Sequence, residues 1–351
     1  MGALRTADPR QVGAYRLVGR LGGGGMGQVF LAVSPGGRPV AVKVVNGEFA
    51  ADDEFRLRFA REVEAARRVG GFHTATVVEA NPDAASPWMA TAYIPGPTLA
   101  EVVATGGPLP VPAAAALGAA LAEGLAAIHA CGLVHRDLKP ANIIMADDGP
   151  RIIDFGVAQP TGVPSLTTPG TVIGTYAFMS PEQMRTEAAT PASDVFALGC
   201  VLGFAATGRV PFGTATLPAI MFQILEGDPD LEGLPAGAFR DAVESCLAKD
   251  PARRPRLGDL VARFGSEPPT VLVSPGPDVS VPRSPGAGEP SDRDEADLAV
   301  IADAEVVKGE TPEVQVHAER HENVTITQQA NAGVGGIVIQ IAGNARLNDD
   351  A

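Results

Sequence analysis

The sequence predicts an α+β protein of two lobes, a small strand-rich one and a larger helical one, followed by a linker and a short β-prone tail. Three observations predict it. Residues 15–45 alternate apolar and polar side chains around a glycine-rich turn. From about residue 112 to 264 the apolar spacing becomes helical. Beyond 265 the composition changes abruptly: all 17 aromatic residues lie before that point, and residues 266–351 hold 15 acidic against 5 basic side chains. Residues 1–265, with 26 acidic against 22 basic, are nearly balanced, so most of the net charge of −14 belongs to the tail.

The elements follow in chain order. YRLVGRL, QVFLAV and RPVAVKVV read as strands, the first two joined by GGGGMG. Residues 53–69 carry apolar positions at helical spacing with charges between them. PWMATAYI, residues 87–94, reads as a further strand. The Ala-rich run after 112 begins near Pro112 and ends near Gly132, a helix with its usual punctuation. Short strands and loops fill 133–180, and helices dominate 191–264. These readings place the N-lobe at about 12–95 and the C-lobe at about 96–265. Residues 266–298 form a Pro-rich acidic linker, with seven prolines between 266 and 291. Residues 299–351 regain β-branched side chains. Within them 323–345 hold no charge, proline or aromatic, the composition of a hairpin or of a strand that pairs with copies of itself.

Composition narrows function. An acidic chain offers no clustered positive charge for nucleic acid or an anionic membrane. The odd count of cysteines (Cys131, Cys200 and Cys246) without CxxC spacing argues for free thiols in a reducing, cytoplasmic compartment. Prolines interrupt the uncharged stretch 102–122, and 195–208 is too short to span, so no membrane span is expected.

Four motifs carry chemistry. Gly22-x-Gly24-x-x-Gly27-x-Val29 lies between two strands, and a loop without Cβ atoms lets backbone N–H groups approach phosphate oxygens. A dinucleotide fold or a plain turn also shows such glycines, but a dinucleotide site would continue into a helix. Lys43, in VAVK, ends an apolar strand run and needs an anion: a phosphate, or a carboxylate from the helix at 53–69, Glu62 or Glu64 with Glu62 preferred. His135-Arg136-Asp137-Leu138-Lys139-Pro140-Ala141-Asn142 packs a carboxylate, an ammonium and an amide into one loop. Asp137 is suited to accept a hydroxyl proton, Lys139 to neutralise a transferring phosphoryl, and Asn142 to ligate a divalent metal. Asp154-Phe155-Gly156 follows an apolar run and suits a second metal ligand beside a mobile loop.

In this order the motifs resemble the bacterial eukaryotic-like Ser/Thr protein kinases, most closely the actinobacterial type, over roughly residues 12–264. Ser180-Pro181-Glu182, Ser193–Gly199 and Arg254 continue the resemblance. It implies a two-lobed protein kinase fold with ATP between the lobes. Leu21, Val29 and Ala41 would cover the adenine from above and Ile144 from below, and Thr91–Ile94, including Ala92 and Ile94, would form the hinge. Lys43, held by Glu62, would grip the phosphates, with Gly22, Gly24 and Gly27 around them. Asn142 and Asp154 would hold Mg²⁺ (or Mn²⁺). Asp137 would orient the substrate hydroxyl of a protein Ser or Thr, and Lys139 would stabilise the phosphoryl in flight. Arg136 would pair with a phosphothreonine at Thr167, Thr168 or Thr171, made by autophosphorylation. The rival reading is a pseudokinase scaffold, or an adaptor that self-assembles through the tail. Self-association through the kinase domain or residues 323–345 is compatible with either.

Overall fold

The computed structural model describes residues 1–24, 27–154, 173–213, 216–265, 325–329 and 338–342. The N-lobe is an antiparallel sheet of six strands. β1 (Gln11–Val12), β2 (Tyr15–Gly24), β3 (Gly27–Val33), β4 (Pro39–Val45), β5 (Val77–Asn81) and β6 (Trp88–Ala92) stand in the order β1-β2-β3-β4-β6-β5. Alternation gives the sheet two different faces. Tyr15, Leu17, Phe30, Val40, Val42, Trp88 and Ala90 make a closed core on one face. Val29 pairs with Lys43 and Leu31 with Ala41, so these stand together on the opposite, half-buried face. After a short turn, α1 (Gly47–Ala50), comes α2 (Asp53–Ala66), capped by Asp52, whose carboxylate accepts from the backbone N–H of Glu54 and Phe55. It buries Phe55, Phe59, Val63 and Ala66.

The C-lobe begins with α3 (Leu99–Gly106), closed by a Thr98–Glu101 capping box, and α4 (Val111–Ala130), with Pro112 in its first turn. Its centre is α4 against α6 (Pro191–Thr207), where Leu117, Leu121, Leu125, Ile128, Phe196, Leu198, Val201 and Leu202 lose essentially all exposure. α4 is long and apolar enough to cross a membrane by composition, and in this fold its apolar surface is spent on the C-lobe core. Glycines set the helix spacing: a Cβ on Gly118 would meet the Phe264 ring at 2.9 Å, and one on Gly199 the Cβ of Cys246 at 2.7 Å. The remaining α-helices among the described residues are α5 (Pro181–Met184), α7 (Leu217–Leu225), α8 (Ala238–Cys246) and α9 (Leu257–Phe264). Between α4 and α5, β7 (Ile143–Ala146) and β8 (Gly149–Ile152) form a small hairpin. Cys200 and Cys246 are free and buried, and burial pushes both thiols up, Cys246 to about 12, so neither is a ready nucleophile.

Contact density divides the chain into residues 1–279 and 280–351. In the second unit, β9 (Thr325–Gln329) and β10 (Val338–Ala342) pair antiparallel, with Ile341 opposite Ile326. The linker and the rest of the tail lie outside the described residues.

Candidate active site

The glycine turn is the tip of the β2–β3 hairpin, because β2 runs through Gly24 and β3 starts at Gly27. The glycines are needed for different reasons. A Cβ on Gly22 or Gly24 would meet nothing within 4 Å, so these positions leave backbone open to a ligand. A Cβ on Gly27 would lie 2.3 Å from the Val44 carbonyl, so this glycine is dictated by strand pairing with β4. Leu21, Val29, Ala41, Ala92, Ile94 and Ile144 are all half-buried, and Lys43 shares the face of Val29 and Ala41. Just after the expected hinge, the Pro97 carbonyl accepts from Met145 N–H of β7 at 2.8 Å.

The loop His135–Asn142 is held by a buried carboxylate far along the chain. Asp194, at the start of α6, accepts from Arg136 N–H at 2.9 Å, His135 N–H at 2.8 Å and His129 Nε2 at 2.7 Å. These bonds hold Arg136 at φ 68°, a left-handed conformation that a non-glycine residue adopts only when its surroundings enforce it. Gln183 Nε2 donates to the Arg136 carbonyl at 2.9 Å. Burial keeps the His135 imidazole below its ordinary pKa and therefore neutral. Its Nδ1 lies 3.2 Å from the Asp137 N–H and must accept, so Nε2 carries the proton and donates to the Ile153 carbonyl at 3.2 Å. One ring thus ties Asp137 to the residue preceding Asp154.

Asp137 receives Lys139 Nζ at 3.0 and 2.8 Å and Asn142 Nδ2 at 3.1 Å. A carboxylate has about four lone-pair sites, so it retains capacity for a substrate hydroxyl. Asn142 Nδ2 also donates to the Asp137 carbonyl at 2.8 Å, so Oδ1 is the atom that could ligate a cation. Ile153 N–H bonds to the Asn142 carbonyl at 3.0 Å and brings Asp154 alongside. The amide oxygen and the Asp154 carboxylate are hard oxygen donors. Two protein oxygens fit Mg²⁺, which keeps several water and phosphate ligands, and no group of three or more His, Cys, Asp and Glu competes for a metal among the described residues.

One expected pairing is replaced by another. Glu62 is half-buried on α2 while Glu64 is exposed. Yet Glu62 Oε1 sits 2.6 Å from Arg136 Nη1 rather than on Lys43, and Lys43 Nζ lies 3.7 Å from Asp154 Oδ1. Both arrangements satisfy a partly desolvated carboxylate with a cation, and here the guanidinium takes it. Phe155, Gly156, Thr167, Thr168 and Thr171 lie outside the described residues.

At the back of the C-lobe, Arg254 forks onto Glu182, Nη1–Oε1 2.7 Å and Nη2–Oε2 2.9 Å, as the two motifs imply. Ser193 Oγ adds a bond to Glu182 Oε1 at 2.6 Å. Sequence reading missed the parts played by Asp194, His129 and Gln183. A lone histidine near the end of a helix whose other ionisable side chain is Glu123 was the signal for His129.

A curled antiparallel N-lobe over a helical C-lobe, with a strand lysine and a carboxylate-bearing loop at the seam, is the architecture of the protein kinases. Residues 15–263 match the protein kinase domain. The chain is 58% identical over 264 residues to a probable serine/threonine-protein kinase PkwA of Thermomonospora curvata, covering 75% of this chain and 35% of that protein. It is 52% identical over 262 residues to the serine/threonine-protein kinase AfsK of Streptomyces coelicolor, covering 74% and 33%. The chain spans about a third of the length of these two relatives. Against the serine/threonine-protein kinase PknA of Mycobacterium tuberculosis the identity is 36% over 290 residues, covering 79% and 67%. The crystal structure of the Mycobacterium tuberculosis PknI kinase domain superposes with a TM-score of 0.58 at 28% identity, over 74% of this chain and 98% of that one. The chain therefore belongs to the protein kinase family, and these matched relatives are actinobacterial serine/threonine-protein kinases.

Proposed function

We propose that the chain transfers the γ-phosphoryl group of ATP to serine and threonine hydroxyls of proteins. The observation that carries this is the Asp137 carboxylate, flanked by Lys139 and Asn142 within 3.1 Å and joined through His135 and Ile153 to Asp154. Asp137 accepts the proton as the hydroxyl oxygen bonds to phosphorus and the bond to the β-phosphate oxygen breaks, with ADP leaving. Lys139 offsets the charge on the transferring group, and Lys43 binds the phosphates of the nucleotide. Asn142 and Asp154 would hold a divalent cation, Mg²⁺ or Mn²⁺, which screens the phosphate charge. The half-buried apolar set Leu21, Val29, Ala41 and Ile144 would sandwich the base. The full set of chemical groups weighs against the pseudokinase alternative.

Regulation by activation-segment phosphorylation is part of the proposal, and the Glu62–Arg136 pair supports it. A phosphothreonine at Thr167, Thr168 or Thr171 carries nearly two charges and competes with Glu62 for Arg136. Glu62, once displaced, is available to Lys43. A cytoplasmic location is part of the same reading, with free, buried Cys200 and Cys246 suited to a reducing compartment. Clustering through the tail strands would bring kinase domains together for phosphorylation in trans.

ATP titration with Mg²⁺ and phosphosite mapping test the reading together. Lys43→Ala is expected to weaken nucleotide binding about tenfold or more, and active protein to carry phosphate on one of the three threonines. Unchanged affinity in the variant contradicts the assignment of Lys43, and three unmodified threonines contradict autophosphorylation at these sites.

A further inference from the structure

The glycine hairpin has few side chains to stiffen it, and what braces it comes from the start of the chain. Gly2 and Arg20 exchange backbone hydrogen bonds, Gly2 N–H to the Arg20 carbonyl and Arg20 N–H to the Gly2 carbonyl, each 2.8 Å. Leu4 packs against the N-lobe core. Leu17 N–H bonds to the Arg10 carbonyl at 3.0 Å. Between these points, Asp8 accepts from Arg5 N–H at 2.7 Å, from Arg20 Nε at 2.6 Å and from Arg20 Nη2. The Asp8 carboxylate is 5% exposed, although most of the residues around it are exposed.

From Arg20 the connection continues toward the loop. Arg20 Nη1 donates to Gln28 Oε1 at 2.9 Å, and Gln28 Nε2 donates to the Gly22 carbonyl. Arg20 also lies over the Phe30 ring, 5.8 Å from its centroid. An unbroken path, Asp8–Arg20–Gln28–Gly22, therefore joins the first ten residues to the backbone proposed to meet phosphate. It crosses the place where the β2–β3 register slips, between Arg20 and Gly22, where strand pairing alone holds the hairpin least firmly. The hydrogen bond from Arg20 pulls the Asp8 carboxyl from its ordinary 3.8 down to about 2, so the pair is charged throughout the neutral range.

We propose that residues 1–10 are a strap that positions the glycine-rich loop, with Asp8 and Arg20 as the positioning pair and Gln28 as the link. Its effect on catalysis rests on the phosphotransfer reading above, and its effect on loop order does not. A glycine-rich loop loses much backbone freedom when it closes on a ligand. Restricting it beforehand lowers that cost and tightens binding without altering the chemical step. The strap should therefore govern KM for ATP and leave kcat nearly untouched.

The test uses the full chain with Asp8→Asn and, independently, Gln28→Ala. Amide hydrogen exchange of the nucleotide-free protein is read across residues 18–29, alongside thermal unfolding and steady-state ATP kinetics. The expected result is exchange about tenfold faster in that hairpin in both variants, with thermal midpoints near wild type. KM for ATP rises about 3- to 10-fold while kcat stays within about twofold. Unchanged exchange over 18–29 overturns the strap. Faster exchange with unchanged KM, or with KM and kcat worsening together, overturns its positioning role. If wild type transfers no phosphoryl group, the phosphotransfer reading fails, and the exchange measurement still decides whether the strap orders the loop.

Discussion

Arg254→Met tests the buried anchor of the C-lobe. Arg254 and Glu182 are 1% and 5% exposed in their side chains and meet through two parallel bonds of 2.7 and 2.9 Å. Arg254 also serves the carbonyls of Ala192, Ala248 and Lys249 and stacks on Phe196 at 5.1 Å. Methionine keeps the volume but leaves the Glu182 carboxylate with only the Ser193 hydroxyl among these partners. Removing one member of a buried pair costs about 3–5 kcal/mol, because the other charge stays buried. At about 2–4 °C per kcal/mol for a domain of this size, thermal unfolding should fall by roughly 6–20 °C. The pH dependence supplies a second readout. Burial pushes Glu182 upward, but the bonds from Arg254 and Ser193 outweigh it and hold the carboxyl below its ordinary 4.5. Its contribution in wild type is therefore complete above that value and lost as pH falls below it. In the variant burial dominates, the carboxyl rises above its ordinary value, and the deficit shrinks on acidification. The double variant Arg254→Met/Glu182→Leu should recover much of the loss. A loss below about 1 kcal/mol in urea unfolding at neutral pH, or a deficit that grows on acidification, would refute this reasoning.

Two further outcomes follow from the same physics. Asp194→Asn places an NH₂ where donors must be received, leaves a buried N–H unpaired at a cost of about 1–3 kcal/mol, and frees Arg136 from φ 68°. It should lower kcat more than it raises KM for ATP, and equal effects on both would contradict the role of Asp194 in holding the 135–142 loop. Gly199→Ala forces a Cβ to within 2.7 Å of Cys246 and 3.0 Å of Leu247, so the free energy of unfolding should fall by about 1–3 kcal/mol, and an unchanged urea midpoint would count against that contact.

The candidate site's groups are legible in the sequence because they are local. His135 to Asn142 spans eight residues, and its fixed order reveals the loop before any contact is known. The large strands and helices were legible from their apolar periods. What binds the site together was not, because it joins distant positions. Asp194 reaches back to His135 and Arg136, and Arg136 reaches Glu62 on a helix of the other lobe. No period marks such a pair, and whether Glu62 sits on Lys43 or on Arg136 is a choice between two cations that tertiary geometry makes. The edge strand Val77–Asn81 was missed because two of its central residues, Val78 and Glu79, are exposed and its alternation is poor. Gly27 fits the glycine-loop pattern, and its missing Cβ is also required by the close approach of β4, a second reason that the pattern does not show.

Asp137→Asn tests whether Asp137 serves as the proton acceptor for phosphoryl transfer from ATP. Transfer of the γ-phosphoryl to a protein hydroxyl and nucleotide affinity are measured on the same preparation. Transfer should be at least about 100-fold slower, with ATP affinity within about threefold of wild type. Transfer at the wild-type rate in this variant would contradict that role.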